Sequence, residues 1–330
     1  MIKATKAPQH HHPDKRNIAS TAYLLSLHQF SHHVVRGPKP SYIPFDLLTQ
    51  CSELNDNIPD PYFDLGTYRW TVTTDSAEAQ LWANRGLIWA YSFNYEEALR
   101  CFERAAKHDP ECAMAYWGIA FSAGPNYNKA WIFFDKQDLA ISTRKANDAI
   151  ARASQLAVGA TAVERGLIEA LTARFPATDN IPEDFGHLNR AYADAMRPVY
   201  KAHSDDVDVA ALFAESLMCI TPRGLWDLST GKETGNHTVE AREVIETAFK
   251  TPKGFNHLAH CHLYIHLLEM CPTPELALPA ADRLRGLVPD ASHMLHMVGQ
   301  YKKQIPNCFT NFEPRSRRTS TQPWATTAVV

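Results

Sequence analysis

Apolar residues recur with the period of an α-helix along most of the chain. Segment 79–110 contains two apolar stripes, which are separated at Phe93 and Asn94. A helix that buries one face repeats apolar residues every three to four positions, so this segment predicts two helices. The apolar stretch 112–124 predicts a third helix, which ends where the turn-forming sequence GPNYN begins.

The middle of the chain also has helical periodicity, at less regular intervals. Glycine accounts for only 14 of the 330 residues, which argues against a turn-rich β fold. A stretch of Pro, Gly and polar residues at 221–236 predicts a loop. The predicted helices are 145–158, 162–175, 185–203, 207–219 and 239–250.

A second helical pair with the spacing of the first lies further along the chain, and a third pair opens at Ser292. Ala277 and Pro289 are the same distance apart as Ala98 and Pro110 in the first pair. Each hairpin leaves an apolar face that only a neighbouring hairpin can cover. The predicted fold is therefore all-α, with antiparallel helical hairpins stacked as a solenoid. A globular α-helical bundle is the alternative.

Both ends of the sequence lack this pattern. Residues 1–60 contain several prolines and the run His10–His12, and they predict a partly disordered tail with short helices. Residues 298–330 are rich in Pro, Ser, Thr and basic side chains without a sustained apolar stripe, and they predict a disordered tail. The predicted helical domain is 61–297.

Composition and charge exclude several classes of protein. Lys and Arg number 33 against 36 Asp and Glu, a net charge of −3, which argues against a nucleic-acid-binding protein. No apolar run approaches the roughly 20 residues of a membrane span. The seven scattered cysteines have no zinc-site spacing, and with no signal-peptide pattern they predict reduced thiols in a cytoplasmic protein.

Histidines cluster in the last third of the helical region, where six of the sixteen fall between residues 257 and 296. His262, His266 and Glu269 are spaced i, i+4, i+7 and therefore share one helix face. His293 and His296 follow at i, i+3 on the first helix of the next repeat. His262 and His296 are separated by one repeat length, so we expect all five side chains to face a common concave groove.

Four imidazoles and a carboxylate in one groove predict a site for a divalent transition metal: Fe, Cu, Zn or Mn. Two histidines with one carboxylate would suit non-haem iron, and three ligands with water would suit catalytic zinc. The alternative is a polar groove whose histidines bond each other or a peptide. His257 and His260 are not expected to bind metal, since the first precedes the helix as a possible cap and the second points toward a neighbouring helix or solvent.

Other polar residues are candidates for the same groove. Glu215 lies in the apolar run ALFAESLM, where a charge needs a partner. It either pairs with Arg223 or reaches the site as a base or ligand, and it is the candidate catalytic residue. Asn126 and Asn128 are predicted turn-formers first and substrate contacts second. Tyr264 is predicted to pack rather than to donate a proton.

The first helical pair resembles a tetratricopeptide repeat. Small residues allow its two helices to touch, large residues fill the seam, and a proline stops the second helix. The fold class implied is a tetratricopeptide-like solenoid. The residues at the typical positions are Trp82, Gly86, Trp89, Ala98, Phe102, Ala105 and Pro110.

Over residues 62–297 the chain also resembles a family of tetratricopeptide-like helical proteins from bacteria and fungi. The motifs that carry the resemblance are YFDLG, the segment 93–128, HLYIHLLE, and the segment 277–297. The family continues after Met297 with another histidine one turn past His296, whereas Gln300 stands there in this chain. In fungi such genes accompany biosynthetic clusters, so the resemblance implies a role in secondary metabolism.

Two functions of different classes follow from the sequence. The first is a metal-dependent enzyme that acts on a small-molecule substrate in the groove. The second is a non-enzymatic scaffold that binds a peptide there. A peptide groove commonly offers Lys, Arg and Asn, whereas this one offers His and Glu, so metal binding is the leading hypothesis.

Overall fold

Twelve α-helices make up most of residues 62–176, 182 and 184–304, which are the residues that the computed structural model describes. A two-stranded antiparallel hairpin, β1 (Trp226–Asp227) and β2 (Lys232–Glu233), interrupts them. No described helix is both long and apolar enough to cross a lipid bilayer. The helices are α1 (Ala77–Tyr91), α2 (Tyr95–His108), α3 (Ala113–Ala123), α4 (Lys136–Leu156), α5 (Ala162–Leu171), α6 (Gly186–Ala202), α7 (Val207–Met218), α8 (Asn236–Phe249), α9 (Pro252–Phe255), α10 (Leu258–Leu268), α11 (Leu278–Leu284) and α12 (Ser292–Gln304).

The predicted all-α fold is confirmed, and successive helices pack pairwise as hairpins. Glycines permit the close contacts of the first three helices, as the sequence predicts for Gly86. A Cβ atom added at Gly86 would lie 2.8 Å from the ring of Phe102, and one added at Gly118 would lie 2.2 Å from it. Any larger side chain at either position would therefore push Phe102 out of the seam.

Helix boundaries differ from the prediction where many polar residues make the apolar stripe weak. Helix α4 begins at Lys136, well before the predicted residue 145. Asp135 sets its start, because its carboxylate accepts hydrogen bonds from the backbone N–H groups of Gln137 and Asp138, both at 2.8 Å. The predicted loop 221–236 contains the β1–β2 hairpin.

The last helices of the array pack against the first. Helix α10 contacts α1, and the backbone N–H of Asp290 donates to the carbonyl of Asp64 at 3.0 Å. Gly66 has a φ of +75°, and a Cβ atom there would lie 2.0 Å from the Leu287 carbonyl oxygen. This closure brings residues from the two ends of the described chain together, and the candidate site lies beside it.

Helix α12 continues through Met297 to Gln304, beyond the predicted end of the helical domain. Met294, Met297 and Val298 form its packed face. The predictions for residues 1–60 and for the chain after Gln304 lie outside the described residues. Cys261 and Cys271 are buried free thiols.

Candidate functional site

Three of the predicted histidines converge: His262 and His266 on α10, and His293 on α12. The Nε2 atoms of His262 and His266 are 3.1 Å apart. One ring nitrogen from each of the three histidines lies within 4.8 Å of the other two. His262 and His266 are only 0% and 4% exposed, so the expected open groove is wrong for these two residues. Both side chains lie where α10 packs against α1.

The hydrogen bonds of the two buried histidines determine which ring nitrogen carries a proton. His262 Nδ1 lies 2.7 Å from the backbone carbonyl of Tyr91, and His266 Nδ1 lies 3.1 Å from the carboxylate of Glu269. Both oxygens only accept, so each Nδ1 must donate. In the neutral imidazoles, the two Nε2 lone pairs then face each other.

Burial favours the neutral form of His262 and of His293. It holds the pKa of His262 well below its usual range, and the neighbouring His266 and His293 lower it further. Burial likewise lowers the pKa of His293 to about 3, with added effects from His266 and His296. Neutral imidazole is the form that binds a metal. Two facing lone pairs repel each other unless a cation lies between them.

The other two predicted ligands lie outside this cluster. Glu269 contacts His266 through Nδ1 and so orients the ring, as carboxylates do behind metal-bound histidines. His296 is exposed. At about 100° per residue, His293 lies on the flank of the packed face of α12, whereas His296 lies nearly opposite that face. The two side chains are about 60° apart around α12, and of the pair only His293 belongs to the three-histidine cluster.

Phe93 covers the histidine rings, and it is not among the site residues predicted from the sequence. Its ring centroid lies 4.5 Å from His262, 5.4 Å from His266 and 5.8 Å from His293. Its φ of +57° is a left-handed conformation that usually selects glycine after a helix. The Asn94 N–H bond to the Trp89 carbonyl, at 2.9 Å, closes this turn after α1. This conformation costs about 1 kcal/mol, and it positions the Phe93 ring against the three histidines.

The loop after α3 supplies two further contacts. Tyr127 packs on His266 with ring centroids 5.2 Å apart. Asn126 is the turn-former that the sequence predicts, since its side chain accepts the N–H groups of Asn128 and Lys129 at 2.9 and 2.8 Å. Asn128 Nδ2 lies 3.4 Å from His293 Nε2. The loop thus forms the side of the cluster nearest to solvent.

Glu215 is buried, and the prediction that it pairs with Arg223 is wrong. Its Oε1 lies 3.8 Å from Arg174 Nη2 and accepts a hydrogen bond from the Tyr95 hydroxyl at 3.1 Å. Burial raises the pKa of Glu215, and the charge of Arg174 opposes that rise. Arg223 instead donates to the Asn128 carbonyl at 3.0 Å.

A second buried network of hydrogen bonds, centred on Asp208, adjoins the site. Asp208 is not among the residues predicted from the sequence. This carboxylate accepts hydrogen bonds from the hydroxyls of Tyr68 and Tyr91, the second at 2.9 Å, and from His257 Nε2 at 3.0 Å. Burial alone would raise the pKa of Asp208, but the His257 charge and these hydrogen bonds lower it overall. Tyr91 joins the network to the site, because its carbonyl holds His262.

His257 and His260 lie outside the three-histidine cluster. His257 stands at the N-cap of α10, but its side chain makes no cap hydrogen bond and pairs with Asp208 instead. His260 faces a neighbouring helix, as one of the two alternatives predicts, and its Nε2 lies 2.9 Å from the Val207 carbonyl. Tyr264 packs and also donates to Glu246 at 2.8 Å.

Stability of the metal-free protein should fall in acid, partly through His260. Burial, together with the charge of His257, lowers the pKa of His260 to about 3. The unfolded chain takes up this proton as the pH falls below about 6.5, whereas the folded chain does not. The loss of stability due to His260 is therefore absent above pH 6.5. It grows as the pH falls toward 3, by up to about 1.4 kcal/mol per pH unit.

Urea unfolding of the wild type and of His260→Gln, between pH 7 and 4, measures this effect. The variant should have a shallower pH dependence of the free energy of unfolding. His108→Gln, at an exposed position of α2, controls for removing a histidine as such. Equal slopes in the wild type and His260→Gln would contradict the prediction.

Comparison with known families bears on the first hairpin. Residues 79–112, which span most of α1 and all of α2, match the tetratricopeptide repeat family. This protein contains a tetratricopeptide-like repeat. No curated protein and no solved structure gives a significant match. The match and the pairwise helix packing agree on a tetratricopeptide-like helical repeat protein.

Proposed function

We propose that this tetratricopeptide-like protein binds one transition-metal ion per chain through His262, His266 and His293. The observation that carries the proposal is the 3.1 Å contact between two Nε2 atoms whose rings already donate through Nδ1. A proton could bridge these atoms only by placing an imidazolium charge in a buried position. A metal ion accepts both lone pairs at once.

The donor set suits a borderline metal. Imidazole nitrogens favour Zn, Cu or Fe over the harder Mn, and the Glu269 carboxylate bonds His266 Nδ1 rather than adjoining the two facing Nε2 atoms. Three protein ligands leave a coordination position for water or a substrate, as in catalytic zinc sites. His293 is half-buried and Asn128 adjoins it, so a small molecule would enter from this side.

A metal-dependent reaction on a small molecule, with a role in secondary metabolism, is the further proposal that the sequence resemblance implies. Glu215 is its candidate proton-transferring residue. A small cavity supports this role for Glu215. Tyr91 and Phe93 line the cavity together with Glu215, and both also contact His262. The ion pair with Arg174 gives Glu215 a structural role in addition.

Metal content after reconstitution tests the proposal. His10–His12 should first be replaced by alanine, so that metal held by this run of histidines is not counted as binding at the site. We expect about one equivalent of Zn²⁺ or Co²⁺ per chain in this background, and less than a tenth of an equivalent after His293→Ala. His296→Ala is the matched control, since it removes an exposed imidazole one turn away on α12.

The outcomes separate the two functions. Less than a tenth of an equivalent in folded protein of this background, with His262, His266 and His293 intact, would overturn metal binding and favour the peptide-binding scaffold. The observation that favours the scaffold is the match of residues 79–112 to the tetratricopeptide repeat, whose stacked forms present concave binding surfaces. Equal metal content in His293→Ala and His296→Ala would show that the site lies elsewhere.

A further inference from the structure

Among the described residues, Arg223 is an exposed arginine beside the histidine cluster that has no carboxylate partner. Within the described part of the chain its side chain donates to the Asn128 carbonyl rather than to a carboxylate. Glu215, its expected partner, is held by Arg174. A guanidinium has five N–H donors, so this arrangement leaves donors for a ligand.

The backbone holds Arg223 in place under strain. Its φ is +61°, although Gly224 stands next to it and would adopt that conformation without cost. The turn is anchored by Thr234, whose hydroxyl donates to the Gly224 carbonyl at 2.6 Å, and by Trp226, whose indole N–H donates to the Leu267 carbonyl of α10 at 2.6 Å. Strain of this kind is retained where surrounding structure fixes a residue, often at ligand sites.

The position of the guanidinium links it to the site. Arg223 Nη2 is 3.0 Å from the Asn128 carbonyl oxygen, and Asn128 Nδ2 is 3.4 Å from His293 Nε2. The guanidinium also lies 5.6 Å from the ring centroid of Phe133, which limits its motion. One residue therefore separates this charge from the ring of a proposed ligand.

Two exposed apolar side chains lie on the loop that Arg223 contacts. Ile132 and Phe133 are 83% and 53% exposed on the same loop that carries Asn128. Exposed apolar side chains that adjoin one another are a feature of ligand-binding surfaces. A planar guanidinium matches a carboxylate through two parallel hydrogen bonds. The combination suits an organic acid with an apolar body.

We propose that Arg223 binds the carboxylate of a small organic acid, whose apolar part lies on Ile132 and Phe133 at the entrance to the His262–His266–His293 site. The proposal rests on the proposed function in that this acid would be the ligand presented to the metal. The contact with Arg223 itself needs only the folded chain. The substrate class is therefore an apolar carboxylic acid rather than a peptide.

Calorimetric titration with phenylacetate tests this proposal on both metal-free and Zn²⁺-loaded full-length protein. Phenylacetamide, which has the same body without the charge, should bind much more weakly. Arg223→Gln should weaken phenylacetate binding at least about tenfold, since it removes a charge-assisted pair. Arg223→Lys should give an intermediate loss because it keeps the charge without the planar fork. Circular dichroism checks that both variants fold.

Lys129→Met is the matched control. Lys129 is an exposed cation of the same loop whose Nζ lies 4.3 Å over the ring of Phe134. We expect its loss to change phenylacetate affinity less than twofold. Equal losses in Lys129→Met and Arg223→Gln would show a general effect of positive charge and overturn the proposal. Tighter binding of inorganic phosphate than of phenylacetate, with the same dependence on Arg223, would also overturn it.

The failure of this proposal is distinguishable from the failure of metal binding. Metal that binds while phenylacetate affinity is unchanged by Arg223→Gln would overturn only the role of Arg223. A tenfold loss in Arg223→Gln, in protein that takes up no metal, would support Arg223 and overturn the metal site. No binding of phenylacetate to either form of the wild type would overturn the organic-acid ligand.

Discussion

Replacing Arg174 by methionine should lower the free energy of unfolding by about 3–5 kcal/mol. Arg174 is 1% exposed, and its charge compensates Glu215, which is also buried. Removing the guanidinium leaves the Glu215 carboxylate without its cation in a position that water does not reach. The Pro125 carbonyl, which accepts from Arg174 Nη2 at 2.8 Å, also loses its donor.

Denaturant unfolding of a mutant cycle measures this effect. Glu215→Gln should lower the free energy of unfolding less than Arg174→Met does, because the Tyr95 hydroxyl keeps an acceptor. The double variant Arg174→Met/Glu215→Leu should recover much of the loss, since two uncharged residues leave no buried ion. Arg152→Met, which breaks an exposed pair with Glu111, should cost less than about 1 kcal/mol. A cost for Arg174→Met as small as this control would contradict the prediction.

Asp208→Ala should be comparably destabilising and should also weaken the proposed metal site. Three buried donors, the hydroxyls of Tyr68 and Tyr91 and the ring of His257, would lose their common acceptor. Each unsatisfied donor costs about 1–3 kcal/mol, so we expect a total of at least about 3 kcal/mol. Movement of Tyr91 would displace the carbonyl that orients His262, and such loss of support typically lowers metal affinity 10–100-fold.

The two effects are measured separately. Urea unfolding gives the stability of Asp208→Ala, and competition with a chromophoric chelator gives the metal affinity of the molecules that remain folded. Asp205→Ala, at an exposed position just before α7, should change stability by less than about 0.5 kcal/mol and leave metal affinity unchanged. A destabilised Asp208→Ala variant with full metal affinity would show that the network does not support the site.

The sequence by itself determined the helices and the pairing of neighbouring ones. Helical periodicity is a local property, so α1, α2, α3 and α7 lie close to their predicted bounds. The i, i+4 spacing of His262 and His266 likewise sufficed to place the two rings together, since both are on one helix. Helix α4 was predicted too short because much of its first half is exposed and has a weak apolar stripe.

Tertiary structure alone decided which distant residues meet. Glu215 has an arginine eight residues away in sequence, yet the packing of α7 pairs it with Arg174, and Arg223 contacts the Asn128 carbonyl instead. The spacing of His293 and His296 could not show which of them faces α10, because that depends on which side of α12 is buried. The closure of α10 onto α1 depends on small rotations accumulated over every intervening helix. Local periodicity does not specify those rotations, so the sequence placed these histidines in an open groove where the folded chain buries them.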